Sequence, residues 1–95
     1  MNANHFIYRL IPPRPTFTSD MSDGERAAMG EHAASWTTLF ERGRVVVFGA
    51  VVEPAGVCGL AVVEADSEDE VRAIAAADSA TQIGLSPGVA AEWRP

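Results

Sequence analysis

Apolar positions change their spacing several times along the chain, and each change marks an element. HFIYRLI, residues 5–11, is a β-branched and aromatic run stopped by Pro12, Pro13 and Pro15, which predicts a strand followed by a stiff loop. Further on the spacing becomes helical. Met29, His32, Ala33, Trp36, Leu39 and Phe40 recur at intervals of three and four, the stripe of a helix that faces a core. SDGE at 22–25 reads as a capping box and Arg42-Gly43 as a stop, so the predicted helix runs from about 22 to 42. RVVVFGAVV, 44–52, is apolar on both alternating sets, with Val45, Val47 and Val51 on one and Val46, Phe48 and Val52 on the other. EPAG turns the chain and VCGLAVVEA, 57–65, returns, which makes a hairpin. A second capping box, SEDE at 67–70, starts a helix with Val71, Ile74 and Ala75 on its buried stripe, and one more turn puts Asp78 on or just past the inward face at the helix end. GVAAEWR, 88–94, supplies a closing strand.

Strand, helix, strand, strand, helix, strand folds most simply as an α+β, ferredoxin-like βαββαβ unit: a four-stranded antiparallel sheet with two helices on one face, one domain spanning residues 1–95. Two helices cover only one face, yet the strands are apolar on both. Leaving the second face bare would expose a patch on the order of several hundred Å². A second copy packed sheet to sheet is therefore expected, giving a homodimer.

Composition narrows the function. With 47% hydrophobic and 21% charged residues in a 95-residue chain, this is an ordinary globular composition, and no apolar run approaches a membrane span. MNANHFIYRL lacks a basic segment followed by an apolar stretch and a cleavage site, so the expected compartment is cytoplasmic. A net charge of -6 without a basic run argues against nucleic-acid binding. Every basic residue is arginine, which removes Schiff-base and lysine-base chemistry. The single cysteine, Cys58, lies in an apolar strand pattern, where a thiol packs as a small hydrophobe. No phosphate loop, paired-cysteine zinc pattern or calcium loop is present, and neither a metal nor another cofactor is expected.

GLSPG, 84–88, matches a nucleophile-elbow pattern in letters only. The residue after its serine is Pro87, which has no amide N–H for an oxyanion hole, so a turn is expected. His32 and Asp78 remain as the pair with chemistry, each at an inward helix position. Two readings stand. In one, His32 is a core histidine and Asp78 caps local backbone, which spacing by itself favours. In the other, Asp78 fixes the tautomer of His32 and leaves the second ring nitrogen to exchange a proton. Trp36, one turn beyond His32, is a pocket wall or a core residue. Arg14 and Phe17, on the loop PPRPTF, are candidates to hold an anionic or planar ligand, or else a solvated cation and a loop anchor.

RPTFTSDMSDGERAAMGEHAASWTTLFERGRVVVFGAVVEPAG, continued by CGLAVVEADSEDEVRAIAAADSA, resembles the YCII-related (YciI-like) family of dimeric α/β-barrel proteins. The resemblance rests on the helix histidine followed by an aromatic, the Gly-x-Val-x-x-x-Gly strand and the aspartate closing the second helix. It implies that His32 and Asp78 form the active site, and it shifts weight to the dyad. Relatives carry Asp-Pro-Phe or a similar triplet where this chain has Asp78-Ser79-Ala80. The expected function is cofactor-free lyase or isomerase chemistry on a small cyclic or aromatic metabolite, with a non-catalytic ligand-binding or accessory dimer module as the alternative.

Overall fold

The computed structural model describes residues 4–54 and 56–93. In chain order the elements are β1 (Asn4–Ile11), α1 (Phe17–Asp20), α2 (Asp23–Glu41), β2 (Val45–Glu53), β3 (Gly56–Ala65), α3 (Glu68–Ala77), α4 (Ser79–Gln82) and β4 (Ser86–Trp93). The strands form one sheet in the order β2-β3-β1-β4, and every neighbouring pair is antiparallel. This is the α+β, ferredoxin-like arrangement, with the one-turn helices α1 and α4 added to the two long ones. No helix among the described residues is long and apolar enough to cross a membrane.

Local chemistry sets the boundaries. Ser22 Oγ accepts the Glu25 N–H at 3.1 Å while Glu25 Oε1 accepts the Ser22 N–H at 2.9 Å, which closes the capping box that starts α2. At the start of α3 only half of the expected box forms. Ser67 Oγ accepts the Glu70 N–H, but the Glu70 carboxylate takes the N–H of Asp66 instead of that of Ser67. Gly43, at φ 76°, turns the chain out of α2 in the left-handed region that glycine enters without strain.

On β1, Phe6, Tyr8 and Leu10 are buried beneath the helices. Their neighbours Ile7, Arg9 and Ile11 alternate to the other face, as the two-residue strand period requires. On β3 the inward set is Ala61, Val63 and Ala65. The predicted alternation fails on β2. A register shift between Val45 and Val47 puts Val45 opposite buried Val63, while Val47 pairs with Val62 and Phe48 with Ala61. Val45 therefore shares the helix side with Phe48, and Val47 and Val51 take the other face. An inserted residue inverts the face of everything beyond it.

The closing strand begins at Ser86, two residues earlier than expected, and the predicted end at Arg94 lies outside the described residues. Ser86 pairs with Ile11, and Pro87 with Leu10, so GLSPG is a turn entering a strand. The molecule measures 44 × 26 × 20 Å, and the shortest axis fits one helix layer on one sheet. The other sheet face carries Ile7, Val47, Val51, Leu60 and Val62, with Val47 53% exposed.

Candidate active site

Asp78 occupies a corner. It ends α3 and also N-caps α4, its Oδ1 accepting the N–H of Ala80 at 3.0 Å. That cap fixes the side chain, so Ser79-Ala80 orients the aspartate. The carboxylate points at α2 and gathers three side chains. His32 Nδ1 lies 2.7 Å from Oδ1. Trp36 donates its indole N–H to Oδ2 at 2.8 Å, and the Tyr8 hydroxyl donates to the same oxygen at 3.3 Å.

The Asp78 side chain is only 1% exposed, against 18% for His32. Burial pushes the acid's pKa up, but hydrogen bonds from His32, Trp36 and the Ala80 amide outweigh it and hold the carboxyl below its ordinary range. Asp78 is thus an anion that only accepts. With Nδ1 donating to that anion, Nε2 is an acceptor in the neutral form of the ring, and it has no partner among the described residues. Tyr8 moves the other way. Burial and the adjacent Asp78 charge raise its pKa to about 12, although the nearby Thr81 hydroxyl pulls it down. The phenol stays protonated and keeps donating.

Rings lock the arrangement in place. Tyr8 stacks on Trp36 with centroids 5.1 Å apart and planes 7° from parallel. His32 tilts against the same indole at 6.1 Å, and Phe48 does so at 6.4 Å. Tyr8 is the residue that sequence reasoning missed. Its inward position between Phe6 and Leu10 was the available signal, since a hydroxyl on a buried strand face needs a partner.

Beside the ring of His32 lies a cavity of about 260 Å³, bordered by Tyr8, Phe17, His32 and Trp36. Its origin is legible in the register. On the helix side of the hairpin, Ala50 pairs with Gly59 beyond the Phe48–Ala61 pair, so small residues floor the space beneath α2. A side chain at Gly59 would press on Leu10, a Cβ there meeting the Leu10 Cβ at 3.2 Å.

Phe17 is buried against this cavity, as the loop-anchor reading allows. Arg14 is placed elsewhere. Its guanidinium makes paired bonds to Glu25 at 2.9 and 2.8 Å and a third to Asp20 at 2.8 Å, with its carbon 5.2 Å above the Phe17 ring. Those hydrogen bonds are the main reason that Glu25 titrates at about 2. The Arg14 donors fasten α1 to the start of α2, and the residue does not line this cavity; it borders a second depression together with Pro12, Glu53 and Cys58. His5 sits on the open face of β1 opposite Glu64, on the other side of the sheet from His32.

The four-stranded antiparallel sheet with its helices is a ferredoxin-like α+β domain. The chain belongs to the YCII-related domain family, whose model matches residues 6–91. No match is found among curated proteins or among solved structures.

Proposed function

We propose that this YCII-related protein is a cofactor-free lyase or isomerase in which His32 moves a proton on a small cyclic or aromatic metabolite held in the cavity. One observation carries the reading: the buried, ionised Asp78 bonded to His32 Nδ1 at 2.7 Å, with the opposite ring nitrogen left free beside a ligand-sized hollow. Asp78 would orient the imidazole and stabilise its protonated form, Trp36 and Tyr8 would hold the acid, and Nε2 would take the proton and return it. Solvent deuterium exchange into a panel of cyclic ketones, lactones and phenols, followed by NMR, tests this. The native protein should catalyse exchange on at least one member, and His32→Asn should slow it by about 10²–10⁴-fold with the fold intact. An unaltered rate in that variant would remove His32 from the chemistry.

A second reading is favoured by the lining itself. Apart from His32 it offers almost wholly apolar surface, which suits a module that holds a ligand without converting it. Ligand-dependent thermal stabilisation with no exchange on any panel member would select that reading.

Both readings include a homodimer through the open sheet face. Ile7, Val47, Val51, Leu60 and Val62 form an apolar surface suited to a second copy of itself, and 37% exposure even at Val51 shows how little of this chain covers it. Sedimentation equilibrium should give twice the monomer mass, and Val47→Glu with Val62→Glu should give the monomer.

A further inference from the structure

We infer that the ligand of this cavity is an uncharged ring compound of one or two rings that presents a hydroxyl donor, phenolic or enolic, to His32 Nε2, and that carboxylates are rejected. This rests on the reading above that the hollow beside His32 is the ligand site; it adds the chemical class that fits.

Charge is the first constraint. Among the described residues the lining contains no arginine, aspartate or glutamate, and its titratable side chains are His32, Tyr8 and Cys58. Arg14, the cation nearest in sequence to the lining residue Phe17, spends its donors on Asp20 and Glu25. The fixed charge next to the hollow is Asp78, which is negative and buried. An anionic ligand would lose its water, find no cation and lie near a like charge. A cationic ligand gains little in exchange. Both carboxylate oxygens of Asp78 are already taken by His32, Ala80, Trp36 and Tyr8, so none is turned to a guest.

Hydrogen-bond polarity is the second. Tyr8 O–H and Trp36 N–H both donate to Asp78 and are spent. His32 Nδ1 is spent as well, and in the neutral ring Nε2 is an acceptor, so the group complementary to that form is a donor on the ligand. Leaving that nitrogen dry and unpaired against a ligand without a donor costs affinity.

Size is the third. A dry cavity of about 150 Å³ takes up benzene, so 260 Å³ accommodates a substituted ring or a fused pair. Leu10, Met21, Met29, Phe48 and Leu85 supply an apolar wall for such a body, and the two methionines adapt to its outline.

Three probes on one naphthalene frame separate these terms at pH 7 by titration calorimetry: 2-naphthol, neutral with a donor; 2-methoxynaphthalene, neutral without one; and 2-naphthoate, anionic. The expected result is that 2-naphthol binds and that each of the others binds at least about tenfold more weakly. His32→Leu should bring 2-naphthol and 2-methoxynaphthalene to within about twofold of each other, since the acceptor is gone. Filling the hollow from either wall, by Ala50→Leu on the hairpin or Ala33→Leu on the helix, should abolish 2-naphthol binding in whichever variant circular dichroism shows to be folded. Equal or tighter binding of 2-naphthoate overturns the proposal, as does no binding of any probe, or binding that survives both filled variants. The two readings fail separately. Carboxylate preference sinks the ligand class and leaves His32 free to transfer protons, whereas absent deuterium exchange sinks the proton transfer and leaves the ligand class standing.

Discussion

The two long helices lie on the same sheet, yet they pack in opposite ways. Beneath α3 the interior is solid: Val71, Ala75, Ala65 and Val63 are buried, with Ala80 of α4 beside them. The longer α2 buries only Trp36 fully, leaves Met29, His32 and Leu39 half covered, and ends on a Phe40 that is 49% exposed. Side-chain size accounts for the contrast. Valine and alanine let α3 lie close to β1, β3 and β4, whereas α2 leans on β2 and α4 and bridges a hollow floored by Ala50, Gly59 and Ala61. The site occupies the seam between these halves. The acid comes from the rigid side and the imidazole from the open one, so the charge is fixed while the space beside it stays available.

Removing the acid should break that seam, and the effect should be the largest. Asp78→Ala leaves the Trp36 N–H, the Tyr8 O–H, the His32 ring and the Ala80 amide without their acceptor, at a cost of about 3–5 kcal/mol in urea-unfolding free energy. The acid limb of stability follows from the same carboxylate. Its folded pKa is depressed, so its contribution is fully present above the unfolded value near 3.8 and disappears as the pH falls through the lower folded value. Melting temperature measured between pH 6 and about 2 should decline on that limb, and less steeply in Asp78→Asn than in the native chain.

The contrast between the helices is sharpened by a matched truncation. Val71→Ala deletes two methyl groups from a filled interior and should cost about 2 kcal/mol. Met29→Ala deletes more atoms, but from a side chain that already borders empty space, and should cost less than about 1.5 kcal/mol. Chemical denaturation of the two variants decides it: a larger loss for Met29→Ala would mean that the α2 side is as tightly filled as the α3 side.

What the sequence made legible divides along physical lines. Period and capping chemistry are local, so the extent of β1, the boundaries of α2 and the inward turn of His32 and Asp78 could all be read from spacing. The bulge between Val45 and Val47 could not be read, because an all-apolar run looks the same in either register. Single turns such as α1 and α4 have too few internal hydrogen bonds to announce themselves, and here flanking side chains hold them: Arg14 at one, the Asp78 cap at the other. Arg14 read equally as a ligand-binding or a solvated cation, and its partners Asp20 and Glu25 stayed hidden because they lie six and eleven residues away, across a loop whose path only the fold defines. Tyr8 was hidden for the opposite reason. Its ring fits a core pattern so well that nothing in the periodicity reveals the hydroxyl's partner seventy residues on.

That hydroxyl gives the finest probe of the seam. Tyr8→Phe removes one rather long bond to a carboxylate that keeps its other donors, and should cost about 1 kcal/mol while preserving the stack on Trp36. Tyr8 is also the only tyrosine in the chain, so phenolate absorbance near 295 nm reports it without overlap from another phenol. The midpoint should fall at about 12 rather than 10.0. A raised folded pKa means that the phenol's contribution to stability is complete below the unfolded value and is lost as the pH climbs through the folded one. Asp78→Asn takes away the charge that opposes the phenolate but leaves the burial, so the midpoint should drop only part of the way towards the ordinary value. A midpoint near 10 in the native protein would mean that water reaches the hydroxyl, and the carboxylate on the rigid side of the seam would then be wetter and less firmly held than its bonds to His32 and Trp36 require.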